Sequence, residues 1–177
     1  MITMLAWEIV SGDGVDALKL NKHETPIPGP GQVRVRINAS SINYRDLITI
    51  EGAGARKLPF PTIPNSDGAG VVTAVGEGVK LQEGDRVTSC FFEDWAAGDI
   101  TAPVMTSALG GARQGVLAEE VVLPERGVIP TPTGLTDEEA ATLPCAALTA
   151  WHALTLPRPV KAGETVLLLG TGGVSVF

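Results

Sequence analysis

Three glycines that follow an apolar run are the residues whose types and spacing most directly suggest chemistry. The run spans Thr165 to Leu169, and Gly170, Gly172 and Gly173 come directly after it. A buried strand that ends in such a turn is typical of a dinucleotide site, because small residues let backbone amides approach a pyrophosphate. We therefore predict that these glycines and Val174 bind the phosphates of a dinucleotide cofactor.

The rest of the chain is organised around the stretch from Pro64 to Val87. Its pattern predicts a loop that carries Ser66 and then a strand from Gly68 to Val75. A tight reversal follows, in which Gly76 and Gly78 are expected to supply positive φ angles.

Other elements are predicted from local patterns. Aliphatic residues alternate with polar ones from Val33 to Ala39, which indicates a half-buried strand. Thr136 and Glu139 form a capping-box pattern that opens a helix. Pro144 is expected to end or bend that helix, and a second helix is predicted from Cys145 to Leu154.

Five blocks, in this order and spacing, resemble the medium-chain dehydrogenase/reductase superfamily of zinc alcohol dehydrogenases and zinc-less quinone reductases. The blocks are NYRD at Asn43 to Asp46, the stretch from Pro64 to Val87, EEVVLPE near Glu120, LPCAALTAWHAL at Leu143 to Leu154, and VLLLGTGG at Val166 to Gly173. The resemblance implies a mainly β fold. A GroES-like β-barrel catalytic domain is expected over residues 1–131, and residues 132–177 are expected to hold two interdomain helices and the first strand of a truncated α/β Rossmann domain.

The resemblance also implies roles for several polar residues. Similar enzymes place Asn43 and Tyr44 against the nicotinamide and the substrate, and they place Thr149 beside the nicotinamide. We expect Tyr44, Asn43 and Ser66 to be catalytic as donors to a substrate oxygen, and Asn43 and Thr149 to bind the cofactor. Without the resemblance, a structural role would be preferred for Asn43 and Tyr44. For Thr149, a hydroxyl bonded to its own helix is an equal alternative, and Asp46 is expected to be a turn or cap residue.

The zinc-dependent members differ from this chain at the positions that would hold a metal. They carry Cys where this chain has Asn43, a His-Glu pair where it has Ser66 and Asp67, and Cys or Asp near Cys145. Only Cys145 remains, whereas a catalytic zinc needs three protein donors. We predict that the chain binds no zinc.

Composition limits the partners. The 177 residues carry a formal net charge of -7, and no basic patch stands out, so no nucleic-acid partner is expected. No apolar run approaches membrane-spanning length, which predicts no membrane partner. The two cysteines, Cys90 and Cys145, form no disulfide framework, and a reducing cytoplasm is therefore expected.

The leading functional hypothesis is a zinc-independent oxidoreductase that uses NAD(P)(H) and transfers hydride to or from a carbonyl, quinone or enone. An alcohol dehydrogenase and a non-catalytic GroES-like structural or interaction module are the alternatives. Because the nucleotide motif is cut short at Phe177, we expect the chain to be the N-terminal part of a two-domain protein and to be inactive alone. The run from Thr165 to Leu169 is expected to be disordered, to fold back on the helices, or to pair with its copy in a homodimer.

Overall fold

The regular structure of the protein is mainly β, as predicted, in a computed structural model that describes residues 2–177. The strands are β1 Thr3–Ile9, β2 Leu18–Glu24, β3 Gln32–Ser41, β4 Asp67–Val75, β5 Arg86–Ser89, β6 Glu120–Pro124 and β7 Val128–Pro130. Strands β1 and β2 form a two-stranded sheet, and the others form a five-stranded sheet in the order β6-β3-β4-β5-β7. All neighbouring strands are antiparallel.

Short helices lie between the strands and after them. They are α1 Tyr44–Glu51, α2 Ala102–Met105, α3 Asp137–Ala141 and α4 Leu148–Thr155, with a π-helical turn Leu143–Ala147 between α3 and α4. The predicted capping box is confirmed, because the Thr136 hydroxyl accepts from the Glu139 amide at 3.2 Å and the Glu139 carboxylate accepts from the Thr136 amide at 2.9 Å. The predicted second helix starts later than expected, since Cys145 lies in the π-helical turn.

The core lies on the inner face of the five-stranded sheet. Along β3, Val33 and Val35 are buried while Arg36 is exposed, which confirms the predicted alternation. Their buried neighbours are Val72, Val87, Leu109, Val116, Val121, Leu123 and Val128. Each of these side chains contributes roughly 1.5–3 kcal/mol by leaving water, so the cluster is the main source of stability for the barrel.

Residues 117–119 join the two sheets. The Trp7 amide donates to the Leu117 carbonyl at 3.0 Å, and the Glu119 amide donates to the Leu5 carbonyl at 2.9 Å. On the other side, the Ile37 amide donates to the Glu119 carbonyl at 3.0 Å. The segment therefore lies between β1 and β3 and fixes one sheet to the other.

Gly76 and Gly78 are predicted from the sequence to have positive φ angles. Gly78 has a φ of 80°, as predicted, but Gly76 does not lie in the left-handed region, so that part of the prediction is wrong. Close approach of another backbone segment is what requires glycine at Gly76, and also at Gly70. A Cβ on Gly76 would lie 1.8 Å from the Gly29 carbonyl oxygen, and one on Gly70 would lie 1.9 Å from the Arg36 carbonyl oxygen. At both positions any side chain would collide with main chain.

The apolar run from Thr165 to Leu169 does not form the predicted strand. Leu167 and Leu169 are each 82% exposed, so the run is not folded back on the helices either. A strand needs a neighbour for its amides and carbonyls, and no residue between 2 and 177 supplies one. Over the same residues, no helix is both long and apolar enough to cross a lipid bilayer.

Candidate functional site

The candidate site is centred on Asp67, the first residue of β4, whose side chain is fully buried. The Ser66 hydroxyl donates to Oδ1 of Asp67 at 2.5 Å, and the Cys145 amide donates to Oδ2 at 2.9 Å. Burial raises the pKa of the Asp67 carboxyl, while hydrogen bonds from Ser66, the Asn43 side chain and the Cys145 amide lower it. One carboxylate thus connects the barrel to residues 137–155, which we call the exit segment.

Asn43 precedes α1 and lies beside Asp67. Its backbone amide donates to the Asp46 carboxylate at 2.8 Å, so Asp46 caps the helix, as predicted. The Asn43 side-chain nitrogen is buried and has no hydrogen bond of normal geometry to any described residue. That nitrogen carries two N–H groups. Its weak interaction with Asp67 occupies at most one of them, so at least one donor is free.

Arg45 ties α1 to the loop that precedes β6. Its guanidinium donates to the Leu109 carbonyl at 2.5 Å, to the Gly110 carbonyl at 3.3 Å and to the Asp46 carboxylate at 3.3 Å. It also lies over the Phe91 ring, 4.6 Å from the ring centroid. Burial raises the pKa of the Asp46 carboxyl, and the Arg45 charge acts in the opposite direction. The start of α1 is therefore held firmly against the barrel.

Tyr44 is 77% exposed. Together with Leu47, Ile48 and Arg56 it lines a shallow depression on the outer side of α1. The structure therefore places Tyr44 and Asn43 next to each other, with the phenol in solvent and the amide inside.

Ser66 does not lie where a substrate could reach it. The residue is fully buried, and its hydroxyl is engaged by Asp67. Its carbonyl accepts from the Ser89 hydroxyl at 2.8 Å. The expectation that Ser66 donates directly to a substrate does not fit this geometry, because packing against β5 turns the loop inward.

Among the predicted cofactor residues, Asn43 belongs to the Asp67 cluster, whereas Thr149 and the turn from Gly170 to Val174 are exposed. Thr149 is exposed on α4, and its hydroxyl makes no hydrogen bond to a described residue, so the alternative of a Thr bonded to its own helix is not observed. Gly170, Gly172, Gly173 and Val174 are all exposed. A Cβ on any of these three glycines would meet no atom within 4 Å, which leaves room for a ligand against the backbone.

Few side chains that could bind a metal ion lie around Asp67. Within residues 2–177, no group of three or more His, Cys, Asp or Glu side chains is placed to hold a metal ion. Burial raises the pKa of the Cys145 thiol, and the nearby carboxylates of Asp67 and Asp46 raise it further. These effects oppose the thiolate form, which is the form that binds a metal.

Comparison with known proteins identifies the family to which the chain belongs. Residues 29–133, more than half of the chain, match the model of the alcohol dehydrogenase GroES-like domain. The chain belongs to this family. As a GroES-like alcohol dehydrogenase domain it is a member of the medium-chain dehydrogenase/reductase superfamily, and the resemblance seen in the sequence is confirmed.

Two curated relatives illustrate the range of the family. A zinc-type alcohol dehydrogenase-like protein from Schizosaccharomyces pombe is 45% identical over 168 residues, which cover 93% of this chain and 49% of that protein. A 2-methylene-furan-3-one reductase from Solanum lycopersicum is 37% identical over 174 residues, covering 96% of this chain and 41% of that protein. The 177-residue chain thus spans somewhat less than half the length of these two relatives, 49% and 41%.

Solved structures agree with the fold. A structure from Sinorhizobium meliloti 1021, named as a candidate alcohol dehydrogenase, superimposes with a TM-score of 0.89 at 40% identity and covers 99% of this chain and 53% of that one. An NAD-dependent alcohol dehydrogenase gives a TM-score of 0.73 at 35% identity, covering 85% of this chain and 46% of that one.

Sequence reasoning assigned no role to two residues that organise the site of this GroES-like domain, Asp67 and Arg45. A signal for Asp67 was present, because an acid at the start of the apolar strand from Gly68 to Val75 is rarely buried unless it is paired. The partner is Cys145, 78 residues away, and no local pattern reveals a contact over that separation.

Proposed function

We propose that the protein is a zinc-independent oxidoreductase that transfers hydride between NAD(P)(H) and a carbonyl, quinone or enone. The observation that carries the proposal is the Asp67 cluster. By the resemblance, Ser66, Asp67 and Cys145 stand where zinc-dependent members have metal ligands. In this chain Asp67 instead accepts hydrogen bonds from the Ser66 hydroxyl and the Cys145 amide. The names of the relatives, alcohol dehydrogenase and reductase, support the oxidoreductase class.

Two side chains are available to act on a substrate oxygen without a metal. The Asn43 side-chain nitrogen is buried without a hydrogen bond of normal geometry to residues 2–177, which costs about 1–3 kcal/mol. The proposal requires this amide to turn towards the substrate carbonyl when the substrate binds. Tyr44 follows Asn43 directly in the chain, and its side chain is 77% exposed. Charge that develops on the oxygen would be stabilised by the Asn43 amide, while Tyr44 donates a hydrogen bond or a proton to the same atom.

The cofactor supplies the hydride when it is bound. On this chain, Thr149 offers a free hydroxyl to orient the nicotinamide, and the exposed turn from Gly170 to Val174 offers backbone amides to the pyrophosphate. The assignment of residues 1–131 to the catalytic domain and of 132–177 to the exit helices and the start of a Rossmann domain is part of the proposal. Because the relatives are about twice as long, we expect this chain alone to be inactive and to bind NADPH weakly or not at all.

Metal analysis is the first test, since the Schizosaccharomyces pombe relative carries zinc in its name. We expect chelator-washed protein to contain far less than one zinc per chain, because Cys145 is the one thiol at the site. A relative known to retain zinc through the same wash serves as the control. One zinc per chain after washing would overturn zinc independence.

The role of Tyr44 can be tested in a form that carries a complete cofactor domain. Tyr44→Phe removes one donor to the reacting oxygen, and we expect kcat to fall by about 10²-fold while cofactor affinity stays nearly constant. Leu47→Ala, which changes an apolar residue in the same depression, is the matched control and should alter kcat little. Equal losses of turnover and cofactor affinity in Tyr44→Phe would contradict the assignment.

Alcohol oxidation is a second candidate, favoured by the names of several relatives. The proposed zinc independence argues against it, because polarising an alkoxide is the task of the zinc in such enzymes. Parallel assays with simple alcohols and with conjugated enones distinguish the two: faster turnover of alcohols would replace the leading proposal.

A homodimer through Thr165 to Leu169 is also proposed. Its support is the exposure of Leu167 and Leu169, since apolar side chains in an unpaired extended run favour pairing with another chain. Light scattering at several concentrations tests it, and a monomer at all of them would count against the dimer.

A further inference from the structure

One buried side chain holds the exit segment to the barrel near the start of the π-helical turn. Asp67 accepts the Cys145 amide at 2.9 Å, a contact between residues that are 78 positions apart. Cys145 is the third residue of the turn, so its amide has no partner within the turn itself. Asp67 therefore satisfies a donor that the helical geometry leaves free.

The same carboxylate contacts Cys145 and lies close to Asn43, one of the two residues proposed to contact the cofactor. The Asn43 amide is close enough to lower the pKa of Asp67. Thr149 follows Cys145 by four residues, and α4 continues directly from the π-helical turn that holds Cys145. A shift of the Cys145 amide would therefore move Thr149 relative to Asn43.

We propose that Asp67 is a positioning residue: it sets the turn from Cys145 to Thr149 against Asn43, so that the two cofactor contacts keep a fixed separation. The inference rests on the proposed function, because it assigns Asp67 to the same site. It gives Asp67 no contact with substrate or cofactor. Ser66 contributes by holding the second carboxylate oxygen, which fixes the orientation of the Asp67 side chain.

The chain offers a matched control in Asp46. Asp46 is as buried as Asp67, with relative exposures of 1% and 0%, and burial raises the pKa of both carboxyls. Its hydrogen bonds go to the Asn43 backbone amide and to Arg45, and it makes none to the exit segment. Replacing either aspartate by Asn removes one buried carboxylate, but only the replacement of Asp67 changes the acceptor of the Cys145 amide.

The experiment compares Asp67→Asn with Asp46→Asn on this chain by NMR. We expect amide hydrogen exchange at Cys145 to accelerate by on the order of tenfold in Asp67→Asn, since the carboxylate acceptor is replaced by the weaker oxygen of a neutral amide. The Asn43 side-chain amide and Thr149 resonances should shift in the same variant. Exchange in β3 and β4 should not change. In Asp46→Asn, we expect Cys145 and Thr149 to stay as in the wild type.

Equal exchange at Cys145 in the two variants, or faster exchange throughout the barrel in Asp67→Asn, would overturn the proposal. Asp67→Glu keeps the carboxylate and should recover part of the Cys145 protection, whereas no recovery would count against it.

If Asp67→Asn does not fold, Ser66→Ala tests the same positioning, because it removes the hydroxyl that holds the other carboxylate oxygen and leaves both the Asp67 carboxylate and the Cys145 amide in place. The Asn43 and Thr149 resonances should then shift as well, and unchanged resonances would overturn the inference. Zinc content is measured separately, so a failure of the proposed function and a failure of the positioning role remain distinguishable.

Discussion

Two aspartates hold the exit segment to the barrel, and their electrostatic surroundings are opposite. Asp137, at the start of α3, is half-buried and accepts from Arg86 at 3.0 and 2.5 Å and from Asn38 at 2.7 Å. The Asn38 hydrogen bond is the main cause that lowers the pKa of the Asp137 carboxyl. Burial opposes it with a smaller effect, and the hydrogen bond and charge of Arg86 lower the pKa further. Asp67 is fully buried, its pKa is raised, and no cation among residues 2–177 contributes to that pKa.

The difference shows two ways of anchoring one segment. Asp137 uses a charged partner close to water, where such a pair is worth little individually. Asp67 uses neutral donors away from water, where each hydrogen bond matters more and each lost partner costs more. We therefore expect the two anchors to respond differently to mutation and to pH.

The largest effect is expected for Asp67→Ala. The substitution leaves the Ser66 hydroxyl and the Cys145 amide without acceptors in a buried site, which costs about 3 kcal/mol of unfolding free energy in total. Urea denaturation measures it. A loss smaller than that of Asp137→Ala would contradict the comparison between the two anchors.

A smaller effect is expected for Asp137→Ala, about 1 kcal/mol, because solvent replaces part of what Arg86 and Asn38 lose. The same urea experiment measures it. Glu138→Ala is a suitable control, since this neighbour on α3 is exposed. A loss comparable to that of Asp67→Ala would show that the surface anchor carries more of the attachment than its exposure suggests.

The smallest effect is on the pH dependence of the unfolding free energy, for which the two aspartates are expected to contribute with opposite signs. The folded-state pKa of Asp67 lies above its ordinary value near 3.8, so the stability linked to this group is present below that value and is lost as pH rises through the folded-state pKa. The folded-state pKa of Asp137 lies below 3.8, so its contribution is present above that value and is lost as pH falls through the folded-state pKa.

The cost of Asp67→Asn should therefore shrink as pH rises from about 3 to 7, and the cost of Asp137→Asn should grow over the same range. Urea midpoints at several pH values measure both slopes. Slopes of the same sign would show that the surroundings of the two carboxylates are not as different as described.

Local patterns predicted a good part of the fold. The alternation from Val33 to Ala39 and the capping box of Thr136 and Glu139 each depend on residues within one element, so the sequence contains all the information they need. The strand expected at Thr165 to Leu169 did not form, because hydrophobicity predicts a strand only where a neighbour accepts its hydrogen bonds.

The candidate site was less accessible to sequence reasoning for the same reason. The sequence placed Asn43 and Tyr44 side by side, but it did not show that one lies inside and the other in solvent. Ser66 looked like an exposed loop residue, and only tertiary packing buries it. The contact between Asp67 and Cys145 joins distant segments, and composition around either residue does not reveal it.

Gly70 shows how sensitivity to substitution can arise without any reactive group. Its backbone lies so close to the Arg36 carbonyl that even a methyl group would overlap main-chain atoms. In a saturation mutagenesis screen this position would tolerate replacement as poorly as a nucleophile does. Such sensitivity would reflect the close packing of two backbone segments. A search that identifies functional residues by the loss of function on substitution would therefore pick out Gly70 wrongly.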